Sequence, residues 1–563
     1  MRRFLSFCVL AAALVCCGVP AGAAEGKSPA RKAVKPPVKS PAKKAAKKAP
    51  PPKAKPKAKP RSWQVLSGKP APLRIGWGHR DVSTSLPVVI PGGWTRPISK
   101  GMDDELTVTA LAIDNGFDAV IFLSCDHLGM SLGNNQLICN AARKLDPTVP
   151  PIEKWIVNAT HTHSGVLLFG PGRHGIPEGI PFDDKGEYRN FFVKRAAQAV
   201  AEAWKKRSPG KVAWGYGYVV GGFSRRTIYS CDLSKLPKYG ASPVLVGRGT
   251  MHGPNIPEFS HYEAGMDPIA NYLFTFDMND KLTGAIVNLS TTAQCGHPTA
   301  NHLSADFWYE ARQALRARFG GIYILPQCAA AGDITPVQQH YKAAQARRLK
   351  LKYGDRAKDF VSRYRLDIAE RVAASFAEVL AWASKDKRRI LPLCHTVITP
   401  QLEWDVYPEE DVAETKRRLA ELEKLPATGG MKPEARLREE SYRATRRGKY
   451  NRVIRAAEEV KKRPAAPTVS HIVRLGNIAF ASNPFELFID YMHRIQRQSP
   501  FEQTFIVQLA HMGGAHGGYL PTERAVANKG YSAEPYSHRT GPKGGATLVR
   551  ATVEELRRLK ELK

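Results

Sequence analysis

Short apolar runs alternate with longer stretches of helical periodicity from about residue 100 onwards. Runs bounded by turn residues predict strands at residues 106–113, 119–124, 155–157, 284–289, 322–325, 472–475 and 505–509. Apolar residues spaced three or four apart predict helices at residues 191–204, 307–319, 356–385 and 553–562. Asn115 and Gly116 predict a hairpin turn between the first two strands. Because strands and helices alternate, we expect an α/β fold with mixed sheets.

Residues 408–462 differ in composition, since they are dense in Glu, Lys and Arg. The pattern breaks at residues 426–430, which predicts an exposed helical hairpin inserted into the fold, its charge being most often a solvated face. The middle of the chain has no linker rich in Pro, Gly or Ser. We therefore expect a single large domain over residues 62–563.

The first 61 residues are not expected to belong to the folded domain, and their sequence predicts export. Two arginines, an apolar run and a small-residue end make residues 1–24 a signal peptide, with lipidation at Cys16 or Cys17 as a weaker alternative. Residues 25–61 are almost entirely Lys, Pro and Ala and predict a disordered linker. The mature chain is then expected in the periplasm, at the cell envelope or outside the cell, with no transmembrane segment.

Charge narrows the class of partner. The 563 residues carry a net charge of +33, and residues 1–61 hold 16 of the 84 Lys and Arg against one acid. Such an arm can grip an anionic envelope polymer, or it can be a solvated spacer. Nucleic acid is not an expected partner, because the chain is exported and no aromatic residues interleave with the charges. Disulfide pairing among the six later cysteines stays open.

Candidate chemistry begins at His161 and His163, which follow the apolar run 155–157. Side chains alternate faces in a strand, so the two rings should point the same way and could bind one metal ion. Two hydrogen-bonded histidines at a strand edge are the alternative.

Three further residues offer nitrogen or oxygen ligands: His297 just after a strand-like run, Glu486 at a loop-to-helix junction and Tyr519 beside two glycines. Each also has a structural interpretation, as a turn cap, as a charge at a helix N-terminus, or as a tyrosine packed with its hydroxyl on backbone. Zinc in hydrolases takes about three protein ligands and leaves a position for water. Several strand ends of this chain could supply such a site.

The order of six motifs resembles the catalytic domain of the neutral/alkaline, non-lysosomal ceramidases. The motifs are Ala-Thr-His-Thr-His-Ser-Gly at 159–165, Phe-Ser-Arg-Arg at 223–226, His-Pro-Thr and Leu-Ser-Ala-Asp within 297–306, Ala-Ala-Gly-Asp-Ile-Thr-Pro at 330–336, Asn-Pro-Phe-Glu at 483–486 and Gly-Tyr-Leu-Pro-Thr at 518–522. The resemblance covers about residues 72–560 apart from the helical insertion. It implies a zinc-dependent amidase that splits a fatty acyl chain from a sphingoid base.

The resemblance also implies roles for individual residues. The zinc ligands of the family fall on His161, His297, Glu486 and Tyr519. His163 matches a histidine beside the metal, Arg225 a substrate-binding arginine, and Tyr531 the tyrosine that steadies the reacting carbonyl.

Two departures concern the substrate. The loop that usually carries a serine in the family has Thr335 instead, which keeps a hydroxyl and adds a methyl group. The chain also ends in a short helix soon after Tyr531, so the C-terminal β-sandwich domain of the family is expected to be absent.

The expected function is therefore that of an exported zinc hydrolase, in which zinc-activated water attacks an amide or ester of a lipid-like substrate. His163 would shuttle a proton. Arg225 and Tyr531, or the backbone N–H groups of residues 331–333, would stabilise the oxyanion. Thr335 would position water, and Asp333 would orient a ligand histidine, or both would only stabilise a turn. The alternatives are a zinc hydrolase of a non-ceramide envelope substrate and a non-catalytic module that binds the envelope.

Overall fold

The structure is a computed structural model that describes residues 66–237, 247–296, 301–513 and 518–563. These residues belong to one compact unit. Helices account for about 36% of the residues and strands for about 26%, which confirms the predicted mixed α/β class. The predicted signal peptide and basic linker lie outside the described residues.

Helices of very different length cover the sheets. In chain order they are Leu132–Leu145 (α1), Glu187–Lys205 (α2), Phe307–Phe319 (α3), Lys342–Tyr353 (α4), Phe360–Ala383 (α5), Glu409–Glu423 (α6), Pro433–Lys462 (α7), Ile489–Gln498 (α8), Glu523–Asn528 (α9) and Pro542–Glu561 (α10).

Most strands are short. In chain order they are Ala71–Pro72 (β1), Arg74–Asp81 (β2), Gly101–Met102 (β3), Thr107–Asp114 (β4), Ala119–Cys125 (β5), Trp155–Ala159 (β6), Ser208–Pro209 (β7), Lys211–Tyr218 (β8), Phe223–Ser224 (β9), Arg226–Tyr229 (β10), Gly249–Met251 (β11), Phe259–Tyr262 (β12), Ile269–Phe276 (β13), Leu282–Leu289 (β14), His302–Leu303 (β15), Tyr323–Cys328 (β16), Ile334–Thr335 (β17), Ile390–Leu391 (β18), Leu393–Ile398 (β19), Gln401–Glu403 (β20), Ala465–Pro467 (β21), Ser470–Leu475 (β22), Ile478–Ser482 (β23), Glu486–Leu487 (β24), Gln503–Val507 (β25) and Tyr519–Leu520 (β26).

Three sheets dominate the described part of the chain. Their strand orders are β6-β5-β4-β2-β7, β16-β14-β13-β8 and β19-β22-β23-β25. Each contains one parallel pair, namely β5 with β6, β14 with β16, and β23 with β25, and its other pairs are antiparallel. The hairpin predicted at Asn115 and Gly116 is present between β4 and β5.

Strands β4, β5 and β23 are buried on both faces, and alternation along the strands divides the side chains between the two faces. In β5, Val120 and Phe122 enter a core shared by all three sheets, whereas Ile121 and Leu123 face the layer of α1 and α2. The shared core is continuous across sheets, since the rings of Phe122 and Phe480 lie 4.7 Å apart. Burial on both faces explains why these strands read as unbroken apolar runs.

Helices α6 and α7, here called the helix pair, occupy residues 409–462 where the charged hairpin was predicted. Their apolar residues Val453, Ala456 and Ala457 pack with Tyr407 and Tyr536. The remaining face carries i,i+4 ion pairs between Arg and Glu, which is typical of a solvated surface. The helix pair is thus attached to the rest of the unit through an apolar patch and through ion pairs such as that of Lys529 with Asp411.

The predicted helix 307–319 coincides with α3, and Asp306 accepts a hydrogen bond from Phe307 N at 2.7 Å as its N-cap. Helices α2 and α10 begin earlier than predicted, at Glu187 and Pro542. Helix α1 and strands β8 and β13 were not predicted. In the described ranges no helix has the length and hydropathy needed to cross a membrane, and the six cysteines there are free thiols.

Candidate active site

The candidate residues follow strands whose carboxyl ends meet. The segment after β6 carries residues 160–163, the segment after β16 carries residues 329–335, and the segment after β23 leads to Glu486. Each of these strands belongs to the parallel pair of a different sheet. Crevices beyond the carboxyl ends of parallel strands are the usual place for ligands in α/β folds.

His161 does not lie in a strand, because β6 ends at Ala159. The expectation of strand alternation is therefore wrong for this residue, which takes a left-handed backbone conformation with a φ of 59°. Its Nδ1 lies 2.6 Å from the Leu128 carbonyl oxygen and donates to it. In the neutral ring the lone pair is then on Nε2, which lies 3.5 Å from Oε2 of Glu486.

Glu486 and Tyr519 are brought together by strand register. Strands β24 and β26 are parallel, and Glu486 and Tyr519 are paired residues across them. The Tyr519 hydroxyl contacts the Glu486 carboxylate. Phe488 is the N-cap of α8, so Glu486 precedes the helix and faces His161 instead of a helix N-terminus.

Burial raises the pKa of the Glu486 carboxyl. The hydrogen bond with His161 and the charges of His161 and Arg225 lower it by a larger amount, so the net shift of the pKa is downward. Arg225 is 3% exposed. Its Nη2 donates to the Gly332 carbonyl at 2.9 Å and to the Tyr519 hydroxyl at 3.3 Å, and lies 3.8 Å from Oε2 of Glu486. The carboxylate is therefore held ionised in a buried position.

Tyr531 stands beside Tyr519, with ring centroids 5.8 Å apart and planes at 74°. The two hydroxyl groups are hydrogen-bonded. Burial raises the pKa of Tyr531, so its hydroxyl stays protonated at neutral pH. Because Tyr531 also lines the cleft described below, it is placed to donate to a bound group.

His163 lies beside His161, with ring centroids 5.1 Å apart and planes nearly perpendicular at 88°. It also lines the cleft. Gly92, whose φ is +93°, passes so close that a Cβ there would stand 2.3 Å from Nδ1 of His163. Only glycine meets both the backbone conformation and this contact.

Asp333 and Thr335 are buried, and their side-chain oxygens accept hydrogen bonds from backbone N–H groups. Oδ1 of Asp333 accepts from the Ile489 N–H at 3.0 Å, at the start of α8, and burial raises the pKa of Asp333 to about 7. The Thr335 hydroxyl accepts from the Val337 N–H at 3.3 Å. The turn interpretation fits both contacts, and His161 is oriented by Leu128 rather than by Asp333.

Backbone N–H groups of the same loop are also engaged. Ala331 N donates to Oε1 of Gln508 at 3.0 Å, and Gly332 N donates to the Leu487 carbonyl at 2.8 Å. These two groups cannot stabilise an oxyanion, so that expectation is wrong for them. A Cβ on Gly332 would stand 2.3 Å from the Glu486 carbonyl oxygen, which explains the glycine.

Sequence reasoning missed Gln508, which is fully buried. Its Oε1 accepts from Ala331 N and from Leu487 N at 2.9 Å, and its Nε2 donates to Sγ of Cys328 at 3.1 Å. The residue thus joins the loop after β16 to the strand that carries Glu486. A single amide within the otherwise apolar run 505–509 was the available signal.

A cleft of about 1520 Å³ opens over these residues. Its lining includes His163, Arg225, Tyr519 and Tyr531, most of residues 87–100 and the first third of α7. Four aromatic rings form part of the wall: Trp94, Tyr442, Tyr531 and Tyr536.

Lys449 of α7 was also missed, and it supports this aromatic wall. Its Nζ lies 4.1 Å from the ring centre of Trp94, 4.8 Å from that of Tyr536 and 5.1 Å from that of Tyr531. Burial lowers the pKa of Lys449 to about 8. The helix pair therefore contacts Tyr531 through a cation–π cluster.

Within the described residues, no group of three or more His, Cys, Asp and Glu side chains forms a metal site. His297, the remaining predicted ligand, lies outside those residues, and Tyr519 is not of those types. When His161 is neutral, its Nε2 and Oε2 of Glu486 are both acceptors, so their 3.5 Å approach calls for a cation between them, or for a proton on Nε2. An imidazole nitrogen and a carboxylate oxygen are donors that zinc takes in hydrolases, so this pair fits zinc.

The chain has the fold of the neutral ceramidases, which confirms the resemblance at the level of fold. It is similar to the crystal structure of neutral ceramidase from Pseudomonas aeruginosa, with 17% identity and a TM-score of 0.59 over 87% of this chain and 75% of that one. A ceramidase structure described as complexed with C2 gives 16% identity and a TM-score of 0.57 over 87% and 76%. No family model matches the sequence, and no curated protein sequence matches it.

Proposed function

We propose that this chain is an exported, zinc-dependent hydrolase that cleaves the N-acyl amide bond, or an ester bond, of a lipid-like substrate. The proposed ligands are His161, His297, Glu486 and Tyr519. The observation that carries the proposal is the convergence of His161, Glu486 and Tyr519, the last of which lines a large cleft. The likeness of the fold to structures of ceramidases supports the choice of an amide-cleaving reaction.

When bound, zinc would lower the pKa of its water to about 7 and would polarise the substrate carbonyl. The chain itself would hold the ion through Nε2 of His161, whose tautomer is fixed by the Leu128 carbonyl. Nη2 of Arg225, 3.8 Å from Oε2 of Glu486, would hold that carboxylate in place.

Three further residues would act on the substrate. His163 borders both His161 and the cleft, so its ring is positioned to accept and return a proton. The Tyr531 hydroxyl, kept protonated by burial, would donate to the oxygen of the reacting carbonyl. Arg225 adds positive charge on the same side. Asp333 and Thr335 would act only by holding the loop, through their contacts with Ile489 and Val337.

The apolar and aromatic lining of the cleft supports a lipid-like substrate, because rings and aliphatic groups offer contact area to an acyl chain. Export rests on the sequence of residues 1–24. The basic arm of residues 25–61 would hold the enzyme near anionic envelope material.

The test combines metal analysis with activity. Purified protein should contain one zinc per chain and hydrolyse N-acyl amino alcohols, and both properties should fall sharply in His161→Ala and Glu486→Gln. His302→Ala is a matched control, because His302 is partly exposed, pairs with Asp103 at 2.9 Å and does not line the cleft.

The possible failures differ in meaning. A protein without stoichiometric zinc, or with zinc that His161→Ala does not affect, contradicts the proposed site. Zinc binding without hydrolysis of any acyl amide or ester contradicts the enzymatic proposal and favours a binding module.

A further inference from the structure

Helix α7 lines the cleft beside the segment of residues 87–100, since Lys100 and Glu434 are paired and the rings of Trp94 and Tyr442 lie 6.3 Å apart. Its contribution runs from Pro433 to Tyr442. The helix pair thus borders the same space as the proposed catalytic residues, and its side chains can select what enters. This inference rests on the proposed hydrolase function and concerns its substrate.

Most charges on this side of the cleft are paired. Lys100 and Glu434 form an ion pair at 2.7 Å, and Glu439 binds Arg443 at 2.6 Å. Both acidic residues that line the cleft there are consequently neutralised by a neighbour.

Two guanidinium groups remain, those of Arg96 and Arg438, and both line the cleft. In the part of the chain that the structure describes, neither has a carboxylate within 4.0 Å. Arg96 donates to the His174 carbonyl, which leaves most of its five N–H donors available. Burial alone lowers the pKa of Arg96, with no acidic group acting on it. Arg438 is exposed to the cleft.

Ser441 fixes the segment of Arg96 against helix α7. Its side chain is fully buried, and its hydroxyl accepts from the backbone N–H of Arg96 at 3.1 Å and donates to the Arg438 carbonyl, one turn earlier in the helix, at 3.2 Å. One hydroxyl therefore holds the backbone of both arginines at the same part of the cleft lining.

Aromatic rings lie between this arginine pair and the proposed catalytic end. The ring of Trp94 is 6.3 Å from that of Tyr442 and 6.0 Å from that of Tyr531. A substrate whose carbonyl meets Tyr531 would pass over these rings before it reaches Arg96 and Arg438.

We propose that the substrate is an N-acyl amphiphile with an anionic group, a phosphate or a carboxylate, that Arg96 and Arg438 bind while its acyl bond lies at Tyr531. Guanidinium groups match both anions through paired N–H donors. An uncharged sphingoid amide would leave the two cations without a partner. The helix pair would then make this chain selective for charged lipids.

The experiment compares three amides with the same acyl chain: a neutral N-acyl amino alcohol, its phosphate monoester and an N-acyl amino acid. The wild type should prefer at least one charged amide, and the phosphate and carboxylate arms identify which anion is recognised. In Arg438→Gln, kcat/KM for the preferred amide should fall about tenfold, the size expected for one lost hydrogen bond to a charged group. The neutral amide should change less than about twofold.

Arg447→Gln is the matched control, because Arg447 is exposed on the same helix and does not line the cleft. Binding of dodecyl phosphate, which has no acyl bond, is measured against dodecanol by calorimetry. Hydrolysis of the neutral amide at an equal or higher rate than both charged amides, with no effect of Arg438→Gln, overturns the inference and leaves the hydrolase. If no amide is cleaved but dodecyl phosphate binds only with Arg438 present, the proposed function fails and the anion site stands.

Discussion

Gln508→Leu tests how the site is held together. The change keeps side-chain volume nearly constant but removes the acceptor shared by the N–H groups of Ala331 and Leu487. Both groups are buried, so neither can turn to water. An unsatisfied buried N–H costs about 1–3 kcal/mol, and two of them predict a loss of about 2–6 kcal/mol in the free energy of unfolding.

The same change should weaken zinc binding, because Leu487 follows Glu486 directly in β24. The measurements are urea unfolding, with the slope m checked for constancy, and zinc affinity from chelator competition. Gln503→Leu is the control, since Gln503 lies at the start of β25 and donates to Gly215 and Asn271, away from the cluster. A stability loss below about 1 kcal/mol together with unchanged zinc affinity refutes the reasoning.

Three further outcomes are expected. Folding lowers the pKa of Lys449 to about 8. The free energy of unfolding of the wild type should therefore rise by about 3 kcal/mol relative to that of Lys449→Met as pH rises from 8 to 10.5. Parallel pH profiles of urea unfolding for the two proteins would contradict this. Burial lowers the pKa of His395, His471 and His511, the last to about 4. The free energy of unfolding should therefore fall below pH 6.5, by about 2 kcal/mol per histidine at pH 5. His471→Asn should reduce that loss, and an unchanged loss would contradict the expectation. Thr335→Ser should leave kcat/KM within about twofold, because the turn hydroxyl is kept; a tenfold rise would assign the hydroxyl a catalytic role.

Sequence patterns within one segment predicted those helices and turns whose caps and turn residues lie in the same segment. The helix at 307–319 has a capping Asp306 and a clear apolar stripe, and the hairpin has Asn115 and Gly116 between two apolar strands. Helix α1 was missed because its sequence is rich in Asn and Gln and only a few residues are buried. Strand β8 was missed because glycines and exposed aromatics interrupt its pattern.

The ordered motifs anticipated the residues that converge, but not how they do so. His161 adopts a left-handed conformation that depends on its contact with Leu128, and no local pattern encodes such a contact. Gln508 bonds Ala331, 177 residues away, and Lys449 contacts Tyr531 and Tyr536, more than 80 residues away. Their importance is a property of tertiary packing, which a single sequence does not reveal.

The shared core has a consequence for folding. Because segments from three sheets meet at one point, His161, Arg225, Glu486 and Tyr519 approach each other only after distant portions of the polypeptide have docked. Contacts of this sequence separation close slowly and late. Partially folded intermediates should therefore be inert towards zinc, and recovery of metal uptake during refolding would report completion of the entire unit.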